Sequence, residues 1–222
     1  MQNKRNLFTI GRLNKLFSNF NPRKLVAILK KEYSLTYNQD VGLWEGYSLE
    51  KHSVMVLYQF EKYYSEKKLP GNFDKNVFRL ILALHDIGKP DAIKKKNKHL
   101  QHKLGQVIVN DFFTQLGLNK NIKKVAVAII GDDPIGEYLT SLISVEQAAK
   151  LIKKMAKKSD LRLKDFFKLL IIFYMVDAAS YTKDAGGYPA LDGMFVVDKR
   201  RKKINFASHV QERINFLKKK LY

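Results

Sequence analysis

The sequence predicts an all-α protein, a single helical bundle with a small β-hairpin near its C-terminus. Three observations predict this fold class. Apolar residues recur at three- and four-residue spacing along most of the chain, which is the period of a helix buried on one side. Helix start and stop residues such as Asp133-Pro134 and Gly117 interrupt that pattern. Residues 195–197 and 204–206 are short apolar segments on either side of a basic turn, which favours one hairpin.

In the first half of the chain, helices are expected where this spacing is bounded by turn residues. Pro70-Gly71-Asn72 is a break between two such segments, and Gly88 and Pro90 are stop signals after His85. Residues 91–98 are expected to form a basic loop. The predicted helices cover residues 7–33 with an interruption near Asn21-Pro22, residues 48–68 and residues 76–85.

The second half continues the helical pattern. Asp133 is placed to cap a helix that has proline in its first position, and Ser144 and Gln147 stand at the spacing of a capping box. The segment 161–180 is the most apolar and is expected to be the central core helix. An irregular stretch follows it around Gly186-Gly187 and Pro189. The predicted helices cover residues 99–116, 119–130, 144–157, 161–180 and 208–221, with a further one starting at 134.

Composition narrows the class of protein. A chain of 222 residues with 45% hydrophobic content can build one full core. The absence of cysteine excludes disulfides, thiolate zinc sites and cysteine nucleophiles. The longest apolar run, Phe166 to Met175, is broken by Lys168 and is too short to span a bilayer. The N-terminus resembles no secretory signal, so a cytoplasmic protein is expected, and export without such a signal stays open.

The net charge of +20 predicts an anionic partner, because a strongly positive protein concentrates negative ligands around it. Lysine far outnumbers arginine, and lysine is a point charge that does not read bases in a bidentate way. An anionic small molecule such as a nucleotide is therefore expected, with nucleic acid left open. The basic runs 199–203 and 218–220 are either solvated faces or contacts to a polyanion. No feature of the sequence indicates an oligomeric state.

Four residues form a candidate metal site. His85-Asp86 closes an apolar helix, and one imidazole and one carboxylate cannot fill a coordination sphere. His52 and Asp177 are the candidates that complete it, and an ionised Asp177 inside an apolar helix is costly without a cation or hydrogen bonds. The alternatives are a half-buried helix histidine at His52 and a buried salt bridge at Asp177. Such a ligand set suits one divalent ion, and Mg, Mn, Fe, Co, Ni and Zn fit alike.

The ordered set His52, His85-Asp86 and Asp177, with LHDIGKP around the pair, resembles the HD-domain superfamily of metal-dependent phosphohydrolases. The resemblance covers roughly residues 48–182 of one predicted domain, 1–222. The helices at 7–33 and the hairpin and helix at 195–221 are additions to that core. The resemblance implies an all-α bundle in which these four side chains hold a catalytic metal that activates a water. It also implies hydrolysis of phosphoester or phosphoanhydride bonds, usually in nucleotides.

Further site residues follow from the resemblance. His102 is similar to an extra histidine of many members, which contacts the phosphate or helps to hold a second metal. Relatives with two metals usually carry another histidine after the next helix, where this chain has Asp132 and Asp133. Either aspartate could bind a second cation, and Asp133 could equally be only a helix cap. One tightly held metal is therefore expected, with a second site open.

The expected catalytic residues are Asp86, Lys89 and His102. Asp86 would orient the attacking water or accept its proton, and Lys89 would face the phosphoryl oxygens. His102 would stabilise the phosphate or protonate the leaving oxygen. For Lys89 the alternative is a solvated surface lysine. After Asp177, Tyr181 is a candidate to stack a base and Lys183 to hold a phosphate, against the alternative of a polar loop that covers a helix end.

Two other functions compete with hydrolysis of a small phosphate compound. One is a phosphodiesterase that acts on RNA ends or cyclic nucleotides, which the positive charge suggests. The other is a non-catalytic basic module that keeps the metal site while it binds or regulates a partner. Selection for binding alone would not need all four ligands, which favours the enzyme.

Overall fold

A computed structural model describes residues 15–39, 46–97 and 99–222 of the chain. Within these ranges the protein consists of eleven α-helices and one two-stranded antiparallel sheet, so the predicted all-α class and the C-terminal hairpin are confirmed. The helices are α1 (Pro22–Glu32), α2 (Ser34–Tyr37), α3 (Leu49–Tyr64), α4 (Lys75–Leu84), α5 (Lys89–Lys94), α6 (Leu100–Gln115), α7 (Lys120–Ile129), α8 (Pro134–Leu139), α9 (Val145–Ser159), α10 (Leu163–Ala179) and α11 (Ser208–Leu221). The strands are β1 (Phe195–Asp198) and β2 (Lys203–Phe206). Short 3₁₀ turns occur at Pro70–Asn72, Lys183–Ala185 and Pro189–Met194.

Side-chain caps begin several of these helices where the sequence predicts them. Asp133 accepts a hydrogen bond from the backbone N–H of Gly136, and Pro134 opens α8. Ser144 and Gln147 form the full capping box at the start of α9. The interruption at Asn21-Pro22 is also confirmed, because Asn21 caps α1. Residues 7–14 of the predicted N-terminal helix lie outside the described residues.

The prediction of a basic loop over residues 91–98 is wrong for its first half, because α5 occupies Lys89–Lys94. Pro90 lies in the first turn of α5, where its missing N–H costs nothing. It therefore starts a helix and does not only stop the one before. Gly88 permits this tight connection, since a Cβ there would lie 2.2 Å from the carbonyl oxygen of Gln101 on α6. The turn after Asp86 is thereby pressed against α6.

The buried apolar side chains form one cluster that extends from Leu25 to Leu221. α3 packs against α1, α4 and α10, and α9 packs against α7, α10 and α11. The first half of α10 is buried as expected, with Phe166 and Leu169 fully enclosed. Its residues 171–174 are only half-buried, so this part of the expected central core helix is partly open to solvent, and we call the open side along residues 171–174 and Asp177 the cleft. The prediction of one domain over residues 1–222 includes undescribed residues and stays a prediction.

The C-terminal hairpin packs on the cleft side of α10. Phe195 pairs with Phe206 at its base, and their rings stack with centroids 5.7 Å apart. The Phe206 ring also lies 6.3 Å from that of Tyr174 on α10. Asp198 pairs with Lys203 at the far end, where the basic residues 199–203 are all exposed. The hairpin therefore projects a concentrated positive charge from the body of the bundle.

In the described part of the chain, every helix falls short of the length and apolar character needed to cross a membrane.

The turn that follows α10 is tied to α3 through Asp184. Lys62 donates to both carboxylate oxygens of Asp184, at 2.8 and 2.7 Å, and the Tyr63 hydroxyl donates to one of them. Burial works against ionisation, but the hydrogen bonds of Lys62 and Tyr63 and the charges of Lys62 and Lys199 hold the pKa of Asp184 below its ordinary value. The carboxylate is therefore stabilised in its charged form by folding.

We expect Asp184→Asn to lower the free energy of unfolding by about 1 kcal/mol at pH 7. Because the folded pKa of Asp184 is depressed, its contribution is present above the unfolded value of 3.8 and is lost as the pH falls through the folded value. Urea unfolding at pH 7 and near pH 3 measures this change. Asp111→Asn, at an exposed position of α6, is the control. An equal loss at both pH values would contradict the ion pair.

Candidate metal centre

Three helix ends bring the four predicted metal ligands together. His52 lies in the first turn of α3, directly after the Ser48 cap. His85 is the C-cap residue of α4, and Asp86 follows it. Asp177 lies in the last turn of α10. The ends of α3, α4 and α10 thus meet at one point, where Asp177 borders the cleft.

Five separations between the four candidate ligand atoms lie between 3.1 and 3.4 Å. The Nε2 atoms of His52 and His85 are 3.1 Å apart. Oδ2 of Asp86 is 3.3 Å from the first and 3.4 Å from the second. Oδ1 of Asp177 is 3.1 Å and 3.2 Å from the same two nitrogens. Two ligands about 2.1 Å from one metal at right angles are about 3.0 Å apart, so these spacings suit a common ion. We call these four atoms the metal cluster.

The outer nitrogens of both imidazoles are already used as donors. Nδ1 of His85 is 2.7 Å from the carbonyl oxygen of Leu82, which can only accept a hydrogen bond. Nδ1 of His52 is 3.5 Å from Oγ of Ser180, whose own hydrogen goes to the carbonyl oxygen of Asp177 at 2.6 Å. Both Nδ1 atoms therefore carry the proton, and both Nε2 atoms present a lone pair to the cluster. This is the usual arrangement around a metal-binding histidine.

With both imidazoles neutral, the cluster gathers four acceptors without a donor among them. Oδ1 of Asp177 is buried and has no hydrogen-bond partner among the described residues, which is costly for a carboxylate oxygen. A bound cation satisfies all four atoms at once. The His52, His85 and Asp86 group could hold a metal ion, since one ligand atom of each lies within 4.8 Å of the others. Asp177 adjoins both imidazoles of that group.

The ionisation of these residues shows how strongly they interact. Burial opposes protonation of His85, yet the charges of Asp86 and Asp177 raise its pKa to about 9. Burial likewise opposes ionisation of Asp86 and Asp177, but His85 and the other cations nearby hold the pKa of both carboxyls below the ordinary value. In the metal-free protein the cluster therefore favours a proton at His85. A metal ion and this proton compete for the same lone pair.

Aromatic rings cover two sides of the cluster. The Tyr181 ring stacks on His52 with centroids 5.0 Å apart, and its hydroxyl is 3.5 Å from Nε2 of His52. The edge of Phe173 meets the His85 ring at 5.7 Å. Tyr181 also stacks on Tyr47 and is only 9% exposed. Little of its face is left for the base stacking proposed from sequence, and what it presents to the cluster is its hydroxyl.

Lys89 lies at the site, as the sequence predicts. Its Nζ is 2.6 Å from Oδ2 of Asp86, and its side chain is largely buried at the start of α5. Its charge also reaches Asp133 across the cleft, where it lowers the carboxyl pKa. Lys89 is thus a fixed cation at the border of the metal cluster. The alternative of a solvated surface lysine does not describe its environment.

Of the two aspartates after α7, Asp133 has the stronger connection to the cluster. Asp133 is solvent-exposed like Asp132, but the protein atoms packed around its carboxyl and the charges of Asp177 and Glu137 raise its pKa to about 7, although its helix-capping bond to Gly136 opposes this. Burial and the charges of Asp133 and Asp177 also raise the pKa of Tyr174, so its hydroxyl lies within the field of both carboxylates. Asp132 is exposed and has no hydrogen bond or ion pair with any described residue. A second cation site at Asp132 stays a prediction.

Among the described residues, neither His102 nor Lys183 has a hydrogen bond or ion pair with the four candidate ligands. Nδ1 of His102 is 3.0 Å from the carbonyl oxygen of Ile130, and its Nε2 is 3.1 Å from the side-chain amide of Gln101. These bonds join the start of α6 to the end of α7. Lys183 is exposed on the turn after α10. Contact of either side chain with a phosphate stays a prediction.

The sequence interpretation missed three residues that shape the site. Ser180 orients His52, Phe173 covers His85, and Tyr174 borders the cleft near Asp133. All three are three or four positions from Asp177 along α10, and residues at that spacing share one face of a helix. Helical spacing around the predicted ligand was therefore a usable signal.

Comparison of the chain with protein-family models, curated proteins and solved structures finds no match.

We expect Ser180→Ala to weaken binding of a divalent metal about 10-fold, because His52 loses the group that fixes its ring and its tautomer. Titration with Mn²⁺ or Zn²⁺ against a chelating indicator measures the affinity. Ser159→Ala is the matched control, since Ser159 is also buried and donates to a carbonyl three residues earlier, but on α9. Equal affinities in the two variants would show that Ser180 does not support the site.

Proposed function

We propose that the chain is a metal-dependent phosphohydrolase that cleaves a phosphoester or phosphoanhydride bond of a nucleotide or a similar small phosphate compound. One observation carries the proposal: four acceptor atoms converge on one point, and the buried Oδ1 of Asp177 lacks a partner among the described residues. The resemblance of the LHDIGKP segment and its partners to the HD-domain superfamily supports the same activity.

The residues that would hold the metal are His52, His85, Asp86 and Asp177. Two nitrogens and two carboxylate oxygens fit a divalent ion of the Mg, Mn, Fe, Co, Ni or Zn group. When bound, such an ion supplies Lewis-acid chemistry, because it polarises a phosphoryl oxygen and increases the acidity of a water. The cluster lies at the end of a cleft, with Asp177 as its most accessible member at 30% exposure. A phosphate would approach from the Asp177 side.

Lys89 is suited to bind that phosphate. Its ammonium group lies beside Asp86 and within the field of Asp133, so it borders the cleft that a substrate would enter. Hydrolysis places negative charge on the phosphoryl oxygens, and a cation fixed in advance stabilises that charge without reorganisation. We assign Lys89 this electrostatic role.

We assign proton transfer to Asp133 and His102. Asp133 has its pKa raised to about 7, so it can both accept and release a proton near neutral pH. Asp86 contributes by orienting the water through its carboxylate. His102 keeps the role of protonating the leaving oxygen. Phe173 and Tyr181 exclude bulk water from the imidazoles, which strengthens the electrostatic interactions there.

His85→Ala and Asp177→Ala are each expected to abolish stoichiometric metal binding and to reduce phosphate release at least about 100-fold. The reason is that each variant removes a ligand from a cluster with few alternatives. The measurements are the metal content of the purified protein and phosphate release over a panel of nucleotides with Mn, Mg, Co or Ni.

His209→Ala is the control for these two variants, because His209 is exposed on α11. Unchanged metal content and turnover in both variants would overturn the proposal. Retained metal without hydrolysis of any phosphate compound by the wild type would favour the non-catalytic binding module. Activity confined to RNA ends or cyclic nucleotides would favour the phosphodiesterase.

Lys89→Gln is expected to keep the metal and to lower kcat/KM about 100-fold, because a charge aimed at the phosphoryl oxygens is lost. Metal content and steady-state kinetics separate the two effects. Lys94→Gln is the control, since Lys94 is exposed at the other end of α5. A variant of Lys89 with wild-type kinetics would exclude it from the site.

A further inference from the structure

The exposed basic turn, residues 199–203, belongs to a hairpin that is anchored on α10, the helix of Asp177. The hairpin base is anchored by Phe206 against Tyr174, which borders the cleft. Three residue steps separate the Phe195–Phe206 pair from the Asp198–Lys203 pair, which is about 10 Å of strand. The turn therefore lies about one strand length, roughly 10 Å, from the contact of the hairpin with Tyr174.

A second interaction relates the turn to α3. Lys199 acts on Asp184, whose carboxylate is bonded to Lys62 of α3. Lys62 lies on the same helix as His52. The basic turn is thus linked to α10 through the hairpin and to α3 through Asp184, and both helices contribute to the metal cluster.

The surface between the metal cluster and the basic turn is also suited to an extended anion. The segment from Tyr181 to β1 runs along it, and Leu191 N–H bonds to the carbonyl oxygen of Tyr181 near the cluster. This segment exposes Lys183 and the ring of Tyr188, which is 52% accessible. Cations that follow a backbone and aromatic rings that stack on bases are the two parts of a single-strand binding surface.

We propose that the basic turn and this segment bind single-stranded nucleic acid and direct its end toward the metal cluster. The inference rests on the proposed function and names a substrate class for it. At about 3.4 Å for each stacked nucleotide, the roughly 10 Å of strand between the hairpin base and the turn corresponds to about three nucleotides, so a strand of several nucleotides is needed to reach both places. A wide duplex does not fit either, because His52 is fully buried and Asp86 is 13% exposed. A narrow, flexible strand can bring its terminal phosphate into the cleft.

The turn carries the charge that such binding needs. Lys199, Arg200, Arg201, Lys202 and Lys203 are consecutive and exposed. Within the described residues, Asp198 is the carboxylate that contacts them, at 3.8 Å from Arg201, whose side chain is 84% exposed. Such an exposed pair contributes little to stability and leaves the arginine able to bind a phosphate.

The test is the triple variant Lys199→Gln, Arg200→Gln and Arg201→Gln in the full chain. A fluorescein-labelled twelve-nucleotide oligo(dT) is titrated with protein, and anisotropy gives the affinity. Each phosphate contact to a single strand contributes about 0.7 to the slope of log K against log salt. We expect binding to weaken about 100-fold near 0.1 M salt and the slope to fall by about 2.

The matched control removes the same charge from the opposite end of the bundle. Lys154, Lys157 and Lys158 are exposed at the end of α9, near the ion pair of Asp160 with Lys124 in the first half of α7. α7 runs from there toward the cleft. The variant Lys154→Gln, Lys157→Gln and Lys158→Gln is expected to bind the oligonucleotide within about twofold of the wild type.

Oligonucleotide binding and phosphate release are measured separately, so that failure of this inference can be told apart from failure of the proposed function. His85→Ala should bind oligo(dT) like the wild type, because the turn does not need the metal. If wild-type protein binds the strand but releases no phosphate from any compound, the proposed function fails and the binding surface stands. In an active enzyme, the turn variant should lose about 100-fold in kcat/KM on 5′-phosphorylated oligonucleotides and keep its activity on mononucleotides.

Three results would overturn the inference. The first is equal oligonucleotide affinity in the turn variant and the wild type. The second is equal weakening in the turn variant and the α9 control, which would show that only net charge matters. The third is retention of the wild type on phosphatidylserine vesicles, lost in the turn variant, without binding to oligo(dT), which would assign the turn to a membrane surface.

Discussion

The mutual repulsion of four acceptor atoms is the constraint around which the rest of the structure is arranged. The two imidazole nitrogens lie 3.1 Å apart, and each is 3.1–3.4 Å from the two carboxylate oxygens, with both imidazoles buried. Such a group is stable only with a proton or a metal ion at its centre. Without a metal, the two carboxylates raise the pKa of His85, so that this imidazole holds the proton.

The fold brings these four atoms together by placing the side chains at or near helix ends. A side chain at a helix terminus can be aimed by a cap or a turn while the helix body stays packed. Ser48 starts α3 just before His52, and Gly88 lets the chain turn sharply after Asp86 and reach Lys89. The positions of the ligands are therefore set by packing in the core, and the cluster inherits the rigidity of α3, α4 and α10.

The charge of the protein is distributed around the cluster in two zones. Lys89 is a single fixed cation inside the cleft, where low exposure makes its field strong. The basic turn is exposed, and its field is screened by salt at about 8–10 Å. A small phosphate compound needs only the first zone, whereas a polymer can use both. The hairpin thus carries part of the net charge of +20 and is packed on α10, the helix of Asp177.

The sequence by itself determined most of the helices, their caps and the four residues that meet at the cluster, because these depend on local spacing and on residue chemistry. Ser144 with Gln147, and Asp177 within its apolar helix, are examples. Tertiary structure alone decided which aspartate after α7 interacts with the cluster, that Tyr181 packs on His52, and that α5 forms at Lys89. Each of these depends on contacts between segments far apart in the chain, such as Gly88 against α6, and local patterns carry no information on such distances.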